Sequence, residues 1–159
     1  MWQGMLALKN DSTFVQMHAL AGSHRLIKDA LPSMEKGLPL RIAQRMRLEP
    51  TQLDGVARRM QKPDEFSMLL ALPCGGNHMD IVNHTKTMRT GFIHYLQQKL
   101  AAGIVNVALP GSGSTQPSFV VHIFPPCEFT QTNLENLTPE LVRSLTDIDH
   151  MLIIIATCS

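Results

Sequence analysis

The sequence has few cysteines, few aromatic residues and little net charge, and each shortage excludes a class of protein. Three cysteines in 159 residues are too few for a small secreted scaffold held together by disulfides. Aromatic residues make up 5% of the chain, which leaves little material for the stacking platforms that bind single-stranded RNA. A formal net charge of +1 argues against general nucleic-acid binding, which neutralises many phosphates at once.

Long hydrophobic runs are missing as well. The longest apolar stretch, residues 151–156, is far shorter than the roughly 20 residues that a membrane-spanning helix needs. The first four residues, MWQG, lack the basic segment and the cleavage site of a signal peptide. We therefore expect the chain to be made and kept in a reducing compartment.

What the sequence does contain is the composition of one globular domain. Hydrophobic residues make up 44% and charged residues 17% of the chain, and its length is sufficient to enclose one core. We expect residues 1–159 to form a single domain, and a monomer because no heptad seam is evident. Strand-like patterns begin near Trp2 and run to Cys158, which predicts a domain excised from a larger protein.

Apolar periodicity divides the chain into strands and helices that do not alternate regularly. Seven segments have the pattern of a strand: residues 2–9, 13–21, 40–48, 66–72, 103–109, 118–124 and 151–157. Five segments have the pattern of a helix: residues 24–31, 51–60, 78–100, 128–137 and 139–146. This order predicts an α+β fold with a largely antiparallel sheet that closes on itself.

The strand at residues 40–48 is the most informative segment. Its period of two places apolar side chains on one face, namely Leu40, Ile42, Met46 and Leu48. The other face has basic or small side chains, namely Arg41, Ala43, Arg45 and Arg47. Charged side chains commonly protect a sheet edge, but arginine also binds carboxylate or phosphate with a planar fork of donors. Edge protection and anion binding both remain open from the spacing alone.

The longest predicted helix, residues 78–100, carries an apolar stripe for the core. The stripe comprises Ile81, Val82, Thr85, Met88, Phe92, Leu96 and Leu100. Tyr95 and Lys99 lie one turn apart along an edge of that stripe. From the residues alone, we favour packing for the tyrosine and solvation for the lysine.

Two features of the helix at residues 51–60 favour structural roles. Thr51, with Asp54 three residues later, predicts an N-terminal capping pattern. Arg58 and Arg59 fall in the last turn, where we interpret them as solvated charges that complement the helix dipole.

A catalytic or metal site has little support in the sequence. Cys74 with His78 or His84 could supply a thiol and a base, or metal ligands, but no Cys-x-x-Cys or His-Glu-x-x-His pattern accompanies them. A buried cysteine at a strand end, followed by histidines on a helix, is the favoured interpretation. We expect no enzyme activity, no cofactor and no metal, with a thiol hydrolase built on Cys74 as an alternative.

Four longer segments resemble one known family. They are WQGMLALKND (residues 2–11), LRIAQRMRL (40–48), LLALPCG (69–75) and IFPPCEF (123–129). They are closely similar to the SPOC domain at the C-terminus of Spen proteins, known in mammals as SHARP or MINT. The resemblance implies a distorted seven-stranded β-barrel flanked by helices. Residues 22–37 and 111–117 depart from the mammalian pattern, so contacts by those loops are not implied.

The resemblance also implies a function and a set of binding residues. It implies a nuclear transcriptional co-repressor module that docks acidic, serine-phosphorylated tails of the SMRT and NCoR co-repressors and thereby recruits histone deacetylases. Domains of this family also bind phosphoserine in the C-terminal repeats of RNA polymerase II. The peptide-binding residues of the family correspond by position to Lys9, Arg41, Arg45, Arg47, Tyr95 and Lys99.

In that picture the cations bind phosphate or carboxylate oxygens and the tyrosine donates its hydroxyl. We expect a peptide as the partner, with neither a membrane nor a nucleic acid in contact with this domain. The alternative is an RNA-binding module that uses the same basic face. Its binding would depend steeply on salt and little on serine phosphorylation.

Overall fold

One β-sheet and the helices that cover it form the part of the chain that the structure describes. The computed structural model describes residues 1–108 and 117–158, so the predicted loop at 111–117 lies almost entirely outside it. The strands are β1 (Trp2–Leu8), β2 (Asp11–Gly22), β3 (Leu40–Ile42), β4 (Gln44–Arg47), β5 (Phe66–Pro73), β6 (Ala101–Val107), β7 (Phe119–Phe124) and β8 (Met151–Thr157). The helices are α1 (His24–Ala30), α2 (Pro50–Arg59), α3 (His78–Thr87), α4 (His94–Gln98), α5 (Glu128–Leu137) and α6 (Pro139–Ser144), with a π-helix (Met88–Ile93) between α3 and α4. Among the described residues, no helix is both long enough and apolar enough to cross a membrane.

The strands form one sheet that nearly closes into a barrel. Their order is β3-β1-β2-β5-β8-β7-β6-β4. All neighbouring strands are antiparallel except β1 and β3, which are parallel. The two edge strands, β3 and β4, are consecutive in the chain. The segment that contains them therefore connects the two edges of the sheet and brings them close together. The predicted α+β fold with a distorted, largely antiparallel barrel is confirmed.

The strand predicted at residues 40–48 is interrupted, which raises the count from the predicted seven to eight within the described residues. β3 pairs with β1, and β4 pairs with β6. Ala43 lies between them, and its N–H donates to the carbonyl oxygen of Ile104 at 3.3 Å. The chain leaves one sheet edge and joins the other at this residue, and the interruption lets each half follow the twist of its own neighbour.

Gly103 in β6 makes room for this crossing. A Cβ atom at residue 103 would lie 2.9 Å from Cδ1 of Ile42 and 3.0 Å from its Cγ2. The Ile42 side chain is buried in the core. The glycine therefore allows β3 to pass over β6 so that the barrel can close.

The sheet is covered on both faces. In β8, Met151, Ile153 and Ile155 belong to one core cluster, whereas Leu152 and Ile154 belong to another. Helix α1 and the π-helix contribute to the first cluster, and helices α2, α5 and α6 to the second. Residues 66–71 of β5 are continuously buried for the same reason, as their apolar run predicts.

The helix predicted at residues 78–100 is irregular, and its predicted apolar stripe is only partly correct. Met88, Phe92 and Leu96 are fully buried. Ile81, Val82 and Leu100 are instead exposed by 41%, 46% and 70%. The wider turns of the π-helix change the angle between successive side chains, and Ile93 is thereby buried beside Phe92.

The capping pattern predicted at Thr51 is wrong. Helix α2 begins one residue earlier, at Pro50, and Glu49 in the N-cap position makes no side-chain hydrogen bond to it. Proline is favoured at the first helical position because the N–H that it lacks would have no intrahelical partner there.

Candidate functional site

The predicted patch residues come from three separate parts of the barrel. Lys9 lies in the β1–β2 turn, Arg41 in β3, Arg45 and Arg47 in β4, Tyr95 in α4 and Lys99 directly after it. The side chains of the three arginines are exposed, as the period of two predicts. The contacts and charge effects that follow join Lys9, Arg41, Arg45, Tyr95 and Lys99 into a single cluster, which we call the basic patch.

Tyr95 lies at the centre of the basic patch. Its ring is half-buried and packs against the core. The ammonium nitrogen of Lys9 lies 4.5 Å from the ring centroid, and the guanidinium carbon of Arg45 lies 5.7 Å from it. Both distances are within the range of a cation–π interaction. The ring therefore attracts two cations, which partly offsets the repulsion between them.

The β1–β2 turn places Lys9 against this ring. Lys9 has a φ of 54°, in the left-handed region, because the chain must reverse between Leu8 and Asp11, which face each other in the ladder. The guanidinium of Arg41 donates a hydrogen bond to the carbonyl oxygen of Lys9 at 3.0 Å. Arg41 thus also fixes the turn that carries Lys9.

Gly91 allows the same turn to approach the π-helix. A Cβ atom at residue 91 would lie 2.8 Å from Oδ2 and 2.9 Å from Cγ of Asp11. Asp11 follows the turn directly, so the absence of a side chain on Gly91 permits the close contact. The helix and the hairpin meet here, one turn before Tyr95.

The electrostatic effect of the basic patch is visible at Tyr95. A hydrogen bond with Lys9 lowers the pKa of the phenol, and the charges of Arg45, Lys9 and Lys99 act in the same direction. Partial burial of the ring opposes them. The hydroxyl group is thereby made a better hydrogen-bond donor towards an anion.

Replacing Lys9 with asparagine is expected to raise the pKa of Tyr95 towards the ordinary tyrosine value of about 10, because the largest cause of its depression is removed. Tyr95 is the single tyrosine of the chain, so a titration of phenolate absorbance reports on it alone. The exposed Lys62, which pairs with Glu65, provides the control variant Lys62→Asn. An unchanged titration curve in Lys9→Asn would show that Lys9 does not contact the phenol in solution.

Arg47 differs from the other cations. Its guanidinium lies 3.6 Å from a carboxylate oxygen of Glu49, and the two side chains are 82% and 56% exposed. A pair that is so exposed is weak, so Glu49 partly screens the charge of Arg47 but leaves its guanidinium able to bind a ligand. Among the described residues, Lys9, Arg41, Arg45 and Lys99 form no salt bridge. Their positive charge is available to a ligand.

The residues suggested for a thiol hydrolase do not have the geometry of one. Nδ1 of His84 lies 2.6 Å from the carbonyl oxygen of Cys74, which can only accept, so this nitrogen carries the proton and is occupied. Burial raises the pKa of the Cys74 thiol, which disfavours the reactive thiolate. No cluster of His, Cys, Asp and Glu suited to a metal ion occurs among residues 1–108 and 117–158.

Reasoning from the sequence missed three residues that shape the patch. They are Asp11 and Gly91 at the contact between hairpin and helix, and Glu49 beside Arg47. A glycine inside a long helical pattern is a signal of close packing, and it was available for Gly91. The opposite charges of Arg47 and Glu49, two residues apart, were a local signal as well, whereas the contact of Asp11 with Gly91 is tertiary and leaves no local signature.

Comparison with known proteins gives a family for this chain. A family model described as SPOC domain matches residues 1–158. The chain is 55% identical over 159 residues to Protein split ends of Drosophila melanogaster, covering 99% of this chain and 3% of that protein. It is 53% identical over 157 residues to human Msx2-interacting protein, covering 98% of this chain and 4% of that protein.

A more distant relative and a solved structure complete the comparison. Human RNA-binding protein 15 is 33% identical over 166 residues, covering 96% of this chain and 17% of that protein. The crystal structure of the SPOC domain of human PHD-finger protein 3 aligns with a TM-score of 0.61 and 11% identity, covering 99% of this chain and 97% of that one. At this identity the likeness supports the fold alone.

Proposed function

The chain belongs to the SPOC domain family, and from that membership we propose that it is a phosphopeptide-binding module of a transcriptional co-repressor. The family resemblance inferred from the sequence is confirmed. In the proposed function, the basic patch and Arg47 dock acidic, serine-phosphorylated tails of SMRT and NCoR co-repressors, which bring histone deacetylases. Phosphorylated C-terminal repeats of RNA polymerase II are a second proposed ligand, and the nucleus is the proposed location.

One observation supports this proposal more than any other, which is the group of cations without a salt-bridge partner around the Tyr95 ring. A phosphoserine carries about −1.5 to −2 charges and three acceptor oxygens. The planar guanidinium of Arg45 can donate two parallel hydrogen bonds to such a group, and the ammonium of Lys9 can donate another. A single cluster of this size suits one phosphate or a few carboxylates, whereas a nucleic acid presents a long row of phosphates.

An exposed apolar side chain next to the basic patch would contribute specificity. Leu100 follows Lys99 directly and is 70% exposed, with a φ of 51°. Its carbonyl oxygen accepts a hydrogen bond from the N–H of Leu48 at 2.9 Å, which fixes it beside the end of the arginine strand. A peptide bound to Arg47 and Lys99 would therefore meet an apolar surface that fits a hydrophobic residue near its phosphoserine.

The remaining parts of the proposal concern the setting of the domain. The chain spans 3–4% of the length of split ends and Msx2-interacting protein, so we propose that it is one interaction domain of a much longer protein. Its position at the C-terminus is proposed from the family resemblance. We further propose that it acts without enzyme activity, because its candidate site consists of exposed cations suited to binding an anion, and as a monomer, because the sequence has no heptad seam.

Arg45→Ala is expected to weaken binding of a serine-phosphorylated acidic peptide by about tenfold or more, because one charge-assisted bidentate contact of roughly 1.5 to 3 kcal/mol is lost. Fluorescence anisotropy with the phosphorylated and the unphosphorylated form of a co-repressor-tail peptide measures the effect. The thermal unfolding midpoint should stay nearly unchanged because Arg45 is exposed.

The controls separate a peptide-binding module from the alternative. Arg25→Ala removes an exposed arginine of α1, outside the patch, and should leave the affinity unchanged. Each titration is carried out at two salt concentrations. Equal, weak and strongly salt-dependent binding of both peptides would contradict the proposal and favour the RNA-binding alternative.

A further inference from the structure

A second group of basic side chains lines a cavity on the other face of the sheet. The cavity has a volume of about 440 Å³ and lies between α2 and the strands β4 and β7. Its lining residues are Met46, Gln52, Gly55, Val56, Arg58, Arg59, Val120 and His122. Met46 alternates along β4 with the outward-facing Arg45 and Arg47, so the strand separates this cavity from the basic patch.

Arg59 is held in place by the protein backbone. The sequence suggested that it is a solvated charge at the helix end, but its side chain is half-buried and its guanidinium donates a hydrogen bond to the carbonyl oxygen of Thr157. A guanidinium has five N–H donors, so the contact leaves others for a ligand. Arg58 is exposed and lines the same cavity, with its Nε 3.4 Å from the carbonyl oxygen of Asp54.

His122 supplies a buried polar group to the cavity wall. The residue is 6% exposed, and its Nδ1 donates to the carbonyl oxygen of Ile154 at 3.0 Å. The ring lines the cavity, and Nε2 is the ring nitrogen that the bond to Ile154 leaves for a ligand. Because Nδ1 carries the proton of the neutral ring, Nε2 donates a hydrogen bond only once the imidazole is protonated.

These groups indicate the chemical class of ligand. Two arginines and an imidazole line the cavity, and none of the lining residues is acidic. The amide of Gln52 adds a neutral donor, and the remaining wall is apolar. The guanidinium and amide donors of an acid-free cavity suit a compact anion with several acceptor oxygens, and the imidazole adds a donor when it is protonated.

We propose that this cavity is a second anion site, in which Arg58, Arg59 and His122 bind a phosphate group. The phosphate is either that of a phosphorylated side chain or free inorganic phosphate. The site does not depend on the proposed function of the basic patch, because no residue is shared between them. A peptide with two phosphate groups could reach both sites only by crossing the edge strand β4.

Protonation of His122 should accompany phosphate binding. Burial lowers the pKa of its imidazole; the hydrogen bond to Ile154 partly opposes this effect, and the charge of Arg59 reinforces it. Arg58 and Arg59 from α2 are the other charged groups that line the cavity, and the lining residues of β4 and β7 add none. A bound anion counters these charges and accepts a hydrogen bond from the protonated Nε2–H, so phosphate binding should raise the pKa of His122. Inorganic phosphate itself gains a proton as the pH falls, so the contribution of His122 is the difference in pH dependence between the parent and His122→Gln.

The test follows the imidazole signals of His122 by NMR during addition of inorganic phosphate at constant ionic strength. Saturable shifts at His122 and a rise of its pKa with phosphate are expected. Arg58→Gln should weaken binding about tenfold, and Arg25→Gln should not change it. His122→Gln should bind phosphate with only the pH dependence that the titration of phosphate itself causes. The double variant Arg45→Ala/Arg47→Ala should bind phosphate in this cavity with the affinity of the parent, even if its basic patch no longer binds a peptide.

Two further arms complete the experiment. A phosphoserine tripeptide that binds several-fold more tightly than inorganic phosphate would assign the site to a phosphorylated side chain, and equal affinities would assign it to the free ion. Equal shifts with chloride, or equal phosphate affinity in Arg58→Gln and Arg25→Gln, would overturn the proposal. Because Arg58 is exposed, its substitution tests the site even if variants of Arg59 fail to fold.

Discussion

A domain that carries both Lys9→Asn and Arg45→Ala is expected to bind a serine-phosphorylated peptide at least about 100-fold more weakly than the parent. Each lost hydrogen bond to a charged group costs roughly 1.5 to 3 kcal/mol, so the pair costs about 3 to 6 kcal/mol, at about 1.4 kcal/mol per tenfold. Both cations lie on the Tyr95 ring, and together they dominate the positive field at its hydroxyl. Isothermal titration calorimetry with parent and variant measures the loss.

The two substitutions are chosen so that the fold is not disturbed. Lys9 has a φ of 54°, a backbone conformation that asparagine adopts more readily than most residues. Arg45 is exposed and its truncation leaves no buried partner. The thermal unfolding midpoint of the double variant should therefore match that of the parent. A parent-like affinity in a folded double variant would show that the phosphate is bound elsewhere.

The single variants add information that the double variant cannot give. Lys9 and Arg45 share the Tyr95 ring, so removal of one changes the position and the pKa of the phenol that the other contacts. We therefore expect each single variant to lose more than its own contact with the peptide, so that the two single losses sum to more than the double loss. Additive losses would indicate that the two cations contact separate groups of the peptide.

Periodicity predicted the exposure of the arginine strand but not its interruption. Alternation along residues 40–48 depends on local geometry, and it correctly assigns Arg41, Arg45 and Arg47 to the surface. The interruption at Ala43 depends on which strands lie on either side, and these are far away in sequence. The closure also needs Gly103, whose role is defined by a contact with Ile42 rather than by its own neighbours.

The helix that carries Tyr95 illustrates the same limit. A regular helical period predicts burial of Met88, Phe92 and Leu96 correctly but fails at both ends of the stripe. The π-helix changes the period in the middle, and a regular pattern cannot anticipate that change. Tyr95 looked like ordinary packing from the residues alone, and the family resemblance made it a candidate.

The patch thus depends on long-range packing although its residues are exposed. The β1–β2 turn meets the helix at Gly91, and Arg41 bonds to the backbone of that turn. The strand that carries Arg45 lies beside the Tyr95 ring because the barrel closes over Gly103. Cations are easily found in a sequence, but their convergence on one phenol is a property of the closed barrel.

Gly22→Ala is expected to destabilise the domain by about 3 to 5 kcal/mol, the largest effect that we expect from a single methyl group. Gly22 ends β2 with a φ of 89°, where an alanine costs roughly 1 to 2 kcal/mol through its backbone conformation alone. The new Cβ would also overlap the carbonyl oxygen of Phe66 and lie 2.9 Å from its carbonyl carbon. That oxygen accepts the N–H of Ser23 at 2.8 Å, so the clash cannot be relieved without breaking the hydrogen bond that joins the residue after β2 to β5.

Gly37→Ala separates the two causes of this loss. Gly37 also has a positive φ, 64°, but a Cβ there would have no atom within 4 Å. Urea unfolding should therefore show a loss of only about 1 to 2 kcal/mol for Gly37→Ala, which is the conformational cost without the clash. Equal losses in the two variants would mean that the β2–β5 ladder yields at Gly22. The C-terminal end of β2 would then be able to shift away from β5 without a large loss of stability.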